Sequence, residues 1–270
     1  MRASLRSLLV PAVVATAAAS LMPTIASAED ESANRVTMAV IGDVPYGDVQ
    51  EATFGRLIDA INTDPKVRRV VHVGDIKNGA TTCSEERLES VLTAFETFED
   101  PVVYTPGDDE WTDCHRPAAG GYDPLERLAT IRSLFFAEPG TTLGRRPDRV
   151  DAQPELVENV SWVQSQVAFA TLHVVGSNNG LAPWTGHTAP TQAQAAEVAD
   201  RIDASVQWVD EAFDAAEQQA LAGVVLIMQA DTFPTGSGHR AIVDRFEYLR
   251  LTIDPRAAAL FSWERVPMAS

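Results

Sequence analysis

Three apolar runs in the first half of the chain each end in a Gly-Asp pair. Such short runs, bounded by turn residues, are typical of buried strands, and parallel strands present their carboxyl ends at one edge of a sheet. We therefore expect Asp43, Asp75 and Asp108 to lie close together, although one Asp after Gly is also a common turn former. The stretches are AVIGDVPYG (39–47), HVGDIKNGATTC (72–83) and VVYTPGDDEW (102–111).

Carboxylates gathered at one sheet edge repel one another unless a cation lies among them. The pattern therefore predicts a divalent metal site. Oxygen ligands favour Mg²⁺, Mn²⁺ or Ca²⁺, and histidine ligands would shift the preference towards Zn or Fe, which stay open as alternatives.

The remaining pattern predicts one α/β domain, because helices alternate with strands in the first half and the second half is more antiparallel. Apolar residues at helical spacing and apolar runs between turn residues mark the individual elements. Helices are expected at 51–62, from Ser84, at 124–136 and at 191–220, and strands at 36–41, 70–73 and 102–104, in a pair joined around Ser165-Gln166, and in GVVLIMQAD (223–231).

The first 28 residues have the pattern of a cleaved secretory signal peptide. Two arginines precede a short alanine-rich apolar stretch, and Ala-Ser-Ala stands before an acidic pair. The alternative, a membrane anchor, needs roughly 20 uninterrupted apolar residues, and prolines interrupt this stretch. We expect cleavage after Ala28 and a secreted or periplasmic domain spanning 29–270, with no membrane association after cleavage.

The chain is strongly acidic, with a formal net charge of −17 at pH 7. Such a chain repels nucleic-acid phosphates and anionic lipid, so we expect no nucleic-acid binding through a basic patch. The same acidity attracts divalent cations.

The two cysteines, Cys83 and Cys114, each follow a Gly-Asp segment. An even cysteine count in an exported protein predicts one intramolecular disulfide. Two free thiols, or a bridge to another chain, are the alternatives.

Four segments resemble motifs of the calcineurin-like metallophosphoesterases, and the resemblance covers residues 36 to 235. It implies a four-layer α/β/β/α sandwich of two mixed sheets, with a two-metal site at the strand ends that hydrolyses a small phosphomonoester or phosphodiester. The segments are GDVPY (42–46), GDIK (74–77), GDDEW (107–111) and IMQADTF (227–233).

The resemblance implies particular roles for these positions. Asp43, Asp75, Asp108 and Gln229 become metal ligands, with Asp75 bridging two ions. Asp109 and Glu110 take a supporting catalytic role, or are merely solvated acids. Tyr46, Asn178 and Asn179 are candidates for substrate binding, and packing beside a proline (Tyr46) or turn formation (Asn178 and Asn179) are the alternatives.

The chain also departs from the family pattern. Pro45 stands where the first motif has a histidine, Asp108 replaces an asparagine, and Asp109 and Gln229 replace histidines. The last motif, Gly-His-x-His, is not found, so the chain has lost it or is truncated or frameshifted relative to relatives. A catalytically silent relative with a binding or structural role is therefore the alternative function.

Histidines contribute little to the predicted site. His72 lies inside an apolar strand, where a hydrogen-bonded core histidine is the expected outcome. His115 and His187 lie in loops and are minor candidates for a ligand or an acid.

Overall fold

The computed structural model describes residues 36–232 and Gly238. These residues fall within one compact unit. The predicted signal peptide and residues 239–270 lie outside the described residues. No described helix combines the length and apolar character that a membrane crossing requires.

The first half of the described chain forms a three-stranded parallel sheet in the order β1-β2-β3. Ile41 pairs with His72, and His72 pairs with Tyr104, so the three strands end side by side. This places the segments that follow them at one edge. The elements are β1 (Thr37–Ile41), α1 (Asp48–Asn62), β2 (Val67–His72), α2 (Glu85–Phe95), β3 (Val102–Tyr104), two short 3-10 helices (Thr112–His115 and Pro117–Ala119) and α3 (Pro124–Phe135).

The second half forms a four-stranded mixed sheet in the order β4-β5-β6-β7. The strands β4, β5 and β6 are antiparallel neighbours, whereas β6 and β7 are parallel. The last pair ends with Thr171 opposite Ile227, which brings the segments after both strands together. The elements are β4 (Asp151–Ala152), β5 (Val160–Gln164), β6 (Val167–Thr171), the single turn α4 (Gly176–Asn179), α5 (Gln192–Gln218) and β7 (Gly223–Ile227).

Side-chain caps start three of the helices at the positions that the sequence favours. The Ser84 hydroxyl accepts from the Arg87 N–H, and the Asp123 carboxylate accepts from two N–H groups of α3. Thr191 forms a complete capping box with Gln194 at the start of α5. Each cap satisfies donors that the first turn of a helix leaves without a partner.

Three hydrophobic clusters fill the interfaces between the sheets and the helices. The first joins the parallel sheet to α1, α2 and α3, for example through Val70, Phe54 and Leu88. The second joins the mixed sheet to α5. The third contains side chains of both sheets, including Val71 and Trp162. The sheets therefore pack against each other, and helices cover their outer faces.

The α/β prediction is confirmed, and the predicted helices and strands are found with ends shifted by a few residues. The strand pair around Ser165 and Gln166 is also confirmed, and both residues take left-handed conformations, with φ of 51° and 63°. The sequence did not predict the two 3-10 helices, which matter for the site described below.

Candidate metal centre

The loops after β1 and β2 are held together at the sheet edge. The Asp43 N–H donates to the carbonyl oxygen of Gly74 at 3.1 Å. His72 is fully buried beneath them, with Nε2 2.7 Å from the Val44 carbonyl oxygen and the Gly74 N–H donating to Nδ1 at 3.2 Å. Burial lowers the pKa of His72 to about 4, so the ring is neutral. The prediction of a hydrogen-bonded core histidine is confirmed.

Asp108, Asp109 and Asp113 form a compact carboxylate group, called here the acidic trio. One oxygen from each side chain lies within 4.8 Å of the others. The trio forms because the chain turns sharply after β3: the N–H groups of Trp111 and Asp113 both donate to the Asp108 carbonyl oxygen. The first 3-10 helix thus returns Asp113 to the strand end that it has just left.

Asp75 lies directly against the trio. Its Oδ1 accepts from the Asp109 N–H at 3.3 Å, and its Oδ2 accepts from Gln229 Nε2 at 3.0 Å. Burial, followed by the charges of Glu110, Asp108 and Asp109, raises the pKa of Asp75. Both oxygens of Asp75 accept hydrogen bonds, yet burial and the neighbouring acids disfavour a negative charge on this carboxylate. A cation nearby would stabilise that charge.

Glu110 is fully buried behind the trio and joins the ends of β2 and β3. Its Oε1 accepts from the N–H groups of Asp75 and Gly107 and from the Tyr104 hydroxyl, at 3.2, 2.8 and 2.8 Å. Its Oε2 is buried with no hydrogen-bond partner among the described residues. Burial raises the pKa of Glu110, against the opposing effect of these hydrogen bonds.

Two glycines permit the close approach of these segments. A Cβ on Gly107 would lie 2.1 Å from Asp75 Oδ1, and a Cβ on Gly176 would lie 2.6 Å from both carboxylate oxygens of Asp108. Any side chain at either position would displace a carboxylate. Steric exclusion by the Asp75 carboxylate thus explains why the Gly-Asp pattern has a glycine at position 107.

The mixed sheet contributes Gln229 and Ser177 to the site. The Gln229 amide oxygen accepts from the Gly176 N–H at 2.7 Å, so its NH₂ group faces Asp75 and Asp108. The Ser177 hydroxyl lies 2.9 Å from Asp108 Oδ2 and 2.7 Å from Asp113 Oδ1. The single hydroxyl hydrogen of Ser177 cannot be donated to both carboxylates at once. Burial and the charge of Asp108 also raise the pKa of Asp113.

Two cations lie beside the carboxylates in the described part of the chain. Lys77 is fully buried, and burial lowers its pKa while the charges of Asp109, Glu110, Asp113 and Asp75 oppose that shift. The Arg116 side chain is 45% exposed, and its Nη2 lies 2.5 Å from Asp113 Oδ2.

Tyr46 reaches the same group from the loop after β1. Its hydroxyl donates to Asp109 Oδ2 at 2.9 Å, while the residue remains 41% exposed. Burial and the hydrogen bond to Asp109 raise the pKa of Tyr46 to about 12, so the phenol stays a neutral donor.

The other predicted site residues take different positions. Asp43 is exposed and lies outside the acidic trio. Asn179 is fully buried, and its Oδ1 accepts from the Val175 N–H and from Arg201 of α5. Asn178 Oδ1 accepts from the Gly238 N–H at 2.9 Å.

The two minor histidine candidates also lie apart from the acidic trio. His115 Nδ1 contacts Thr185. The backbone N–H of His187 donates to the Trp184 carbonyl oxygen in the loop before α5.

The disulfide between Cys83 and Cys114 is confirmed. Its sulfur atoms lie 3.6 and 3.7 Å from the Asp109 carbonyl oxygen. The bridge therefore ties the loop after β2 to the 3-10 helix that carries Asp113.

Four of the residues that build the site were not predicted: Lys77, Asp113, Arg116 and Ser177. A further acid shortly after Asp108, Asp109 and Glu110 was the available signal for Asp113, because a short turn after β3 can bring it back to Asp108. Ser177 belongs to a left-handed turn from another sheet, and no local pattern marks it.

A divalent cation fits this set of residues. The acidic trio offers three hard oxygen ligands, the donor type that Mg²⁺, Mn²⁺ and Ca²⁺ prefer over histidine-rich sites. Glu110 Oε2, which has no partner in the described part of the chain, and the raised pKa of Asp75 mark a site with excess negative charge. The trio can therefore hold a metal ion, whose identity the ligand types leave open among the hard cations.

Comparison of the chain with known protein families, with curated proteins and with solved structures gives no match. The function is therefore argued from the geometry of the site.

Proposed function

We propose that this protein is a metal-dependent phosphoesterase that hydrolyses a small phosphomonoester or phosphodiester. The observation that carries the proposal is the acidic trio of Asp108, Asp109 and Asp113, whose ligand oxygens lie within 4.8 Å of one another at the carboxyl end of a parallel strand. Ligands in α/β folds bind at this edge of the sheet.

The order of the hydrophobic clusters supports the four layers that the sequence resemblance implies, although that resemblance implied two mixed sheets and the described strands of the first sheet are all parallel. Helices, parallel sheet, mixed sheet and helix follow one another through the three clusters. We therefore propose the four-layer α/β/β/α sandwich of the calcineurin-like metallophosphoesterases as the fold of this chain.

The residues of the chain have separate tasks in this proposal. Asp108, Asp109 and Asp113 would hold a divalent ion, which supplies Lewis-acid stabilisation of phosphoryl oxygens and an acidified water. Asp75 and Glu110 position the trio, because each accepts a backbone N–H from a neighbouring strand end. The Tyr46 hydroxyl is a neutral donor at the exposed side of Asp109.

Export of the protein is part of the same proposal. The Cys83–Cys114 bridge is of the kind that persists in oxidising compartments. It supports a secreted or periplasmic location, with a small phosphorylated compound as the substrate.

The second candidate function is a catalytically silent binding protein on the same fold. The buried Lys77 and the ion pair of Arg116 with Asp113 favour it, because both supply positive charge to the carboxylates without a metal. Metal content and hydrolytic activity together decide between the two candidates.

The test combines metal analysis with hydrolysis of 4-nitrophenyl phosphate and bis(4-nitrophenyl) phosphate in Mn²⁺. We expect wild-type protein to bind the metal and hydrolyse at least one ester. Asp108→Asn should lower turnover by about 100-fold or more, because it removes a ligand charge from the ion that stabilises the transition state.

Asp59→Asn is the matched control, since Asp59 is an exposed acid on α1 and should leave turnover unchanged. Metal-free wild-type protein without activity would support the silent binding protein instead. Full activity in Asp108→Asn would place the reaction elsewhere.

A further inference from the structure

Arg116 differs from the other cation of the site in its access to solvent. Its side chain is 45% exposed, whereas Lys77 is fully buried. Of the two cations, a ligand that approaches the acidic trio from solvent can therefore contact Arg116 but not Lys77.

The guanidinium contacts one member of the trio directly and lies near a second. Nη2 lies 2.5 Å from Asp113 Oδ2 and 3.5 Å from the Ser177 hydroxyl. Nη1 lies 2.9 Å from the point where a Cβ on Gly79 would stand, and Asp109 Oδ1 lies 2.9 Å from that same point. The absence of a side chain at Gly79 thus leaves room for Arg116 beside Asp109.

The donors of Arg116 are only partly used. A guanidinium carries five N–H donors in a planar fork. Among the described residues, Arg116 makes an ion pair with Asp113 and a hydrogen bond to Ser177, both through Nη2. Each parallel donor pair of the guanidinium combines Nη2 with Nη1 or with Nε, so a bidentate ligand would share Nη2 with Asp113 or replace Asp113 there. A planar fork of this kind matches the oxygens of a phosphate group, which it can bind through two parallel hydrogen bonds.

A phosphoryl group brings negative charge into a site that already contains five carboxylates: Asp75, Asp108, Asp109, Glu110 and Asp113. A cation at the exposed side of the trio offsets this repulsion. The Ser177 hydroxyl lies 3.5 Å from Arg116 Nη2, and the half-exposed Tyr46 bonds to Asp109. Both hydroxyls donate to carboxylates of the trio, and they become donors for a ligand where those carboxylates bind an ion instead.

We infer that Arg116 is the substrate-binding cation of the site, and that it takes a tetrahedral phosphate-type oxyanion with the help of Ser177 and Tyr46. This rests on the proposed phosphoesterase function. When the trio holds a metal ion, the ion pair between Arg116 and Asp113 weakens. The N–H groups of the Arg116 guanidinium then bind the phosphoryl oxygens.

Two binding measurements on the full chain test the inference: calorimetric titration with Mn²⁺, and titration of the Mn²⁺-loaded protein with inorganic phosphate. In Arg116→Gln we expect Mn²⁺ affinity to stay equal or rise, because a positive charge beside the ligands is removed. Phosphate affinity should fall about tenfold or more, the size of a lost charge-assisted bidentate contact.

Arg116→Lys should restore phosphate binding only in part, because an ammonium lacks the fork. Arg146→Gln is the matched control: Arg146 is an exposed arginine paired with Asp100 at 3.0 Å, and its loss should change neither affinity. A loss of phosphate affinity without a loss of Mn²⁺ affinity identifies a binding residue, since a merely structural role would weaken both.

Unchanged phosphate affinity in Arg116→Gln would overturn the inference, and so would a joint loss of Mn²⁺ and phosphate binding in both Arg116 variants. Wild-type protein that binds no Mn²⁺ would remove the proposed function alone. Phosphate binding to that metal-free protein, lost in Arg116→Gln, would then still support Arg116 as the anion site, and its persistence would refute it.

Discussion

Lys77 is a fully buried lysine in a site built from acids. Lysine is almost never buried completely unless it is paired. Its Nζ donates to the Asn78 carbonyl oxygen at 3.1 Å, and the charges of four carboxylates oppose the lowering of its pKa by burial. At the scale of single residues, Lys77 is thus an internal counter-charge for the candidate metal centre.

Replacing this residue tests that role. Lys77→Met should destabilise the metal-free protein by about 3 kcal/mol or more, because it leaves buried carboxylates without a compensating charge. Urea denaturation in EDTA measures the change, and saturating Mg²⁺ should recover part of it because the ion replaces the lost charge.

Lys66→Met is the control, since Lys66 is exposed and its loss should stay within about 0.5 kcal/mol of wild type. A Lys77→Met variant as stable as this control in EDTA would show that the ammonium does not stabilise the cluster.

At the scale of elements, a partly buried ion pair joins α3 to the mixed sheet. The fully buried Glu158 accepts from Arg132 of α3 at 2.6 Å and lies 2.8 Å from His173 Nδ1, beyond the end of β6. Burial alone would raise the pKa of Glu158, but the contacts with His173 and Arg132 outweigh it and lower the pKa to about 2. His173 in turn packs edge-on against Trp111, beside the acidic trio.

Glu158→Gln should therefore change both stability and its pH dependence. The loss at neutral pH should be about 3 kcal/mol, because Arg132 keeps its charge without a partner. A depressed carboxyl pKa contributes stability above the unfolded value of about 4.3 and loses it as the pH falls towards 2. The variant should consequently show a shallower loss of stability between pH 4.3 and 2.

Denaturant titrations at several acid pH values measure this slope. Glu155→Gln, an exposed acid three residues earlier, should keep the wild-type slope. An unchanged acid slope in Glu158→Gln would mean that the pair with Arg132 does not control acid stability.

At the scale of the whole molecule, the site forms where the two sheets meet. The parallel sheet supplies Asp75 and the acidic trio, and the mixed sheet supplies Gln229 and Ser177. Contacts between residues so far apart in sequence form only in the folded state. Metal binding should therefore be linked to global stability, since a ligand that binds only the folded chain stabilises it.

The metal-free protein should lose stability as the pH rises from 7 to 9. Burial and neighbouring carboxylates raise the pKa of Asp75 to about 9, so the folded state holds a proton there that the unfolded state has lost. A raised folded pKa means stability that is present below the unfolded value and lost as the pH passes the folded one. The histidines act in the opposite direction, but below about 6.5.

Melting temperatures in EDTA and in saturating Mg²⁺ between pH 7 and 9 measure this effect. The gap between the two should widen with pH, because the ion binds deprotonated carboxylates. Asp75→Asn should flatten the EDTA curve. Equal melting temperatures in Mg²⁺ and EDTA across this range would contradict the metal site.

Local sequence patterns were enough to predict the main helices and strands and the approach of Asp75 to the end of β3. Apolar runs of strand length predicted β1, β2 and β3, and their Gly-Asp ends predicted that Asp75 and Asp108 would lie together. Cysteine parity predicted the disulfide. These inferences succeeded because strand periodicity, turn residues and parallel pairing are short-range properties of the chain.

Only the tertiary structure decided which oxygens form the trio. Asp43 has the same local pattern as Asp75, yet its side chain is exposed and stands outside the group. Asp113 enters because a 3-10 helix folds it back onto the Asp108 carbonyl, and Ser177 because a turn of the mixed sheet packs against β3. Sequence determines which strands end in a carboxylate, whereas the folded structure determines which acids meet: the turn after β3 brings Asp113 back to Asp108, and the packing of one sheet on the other adds Ser177, about 70 positions away.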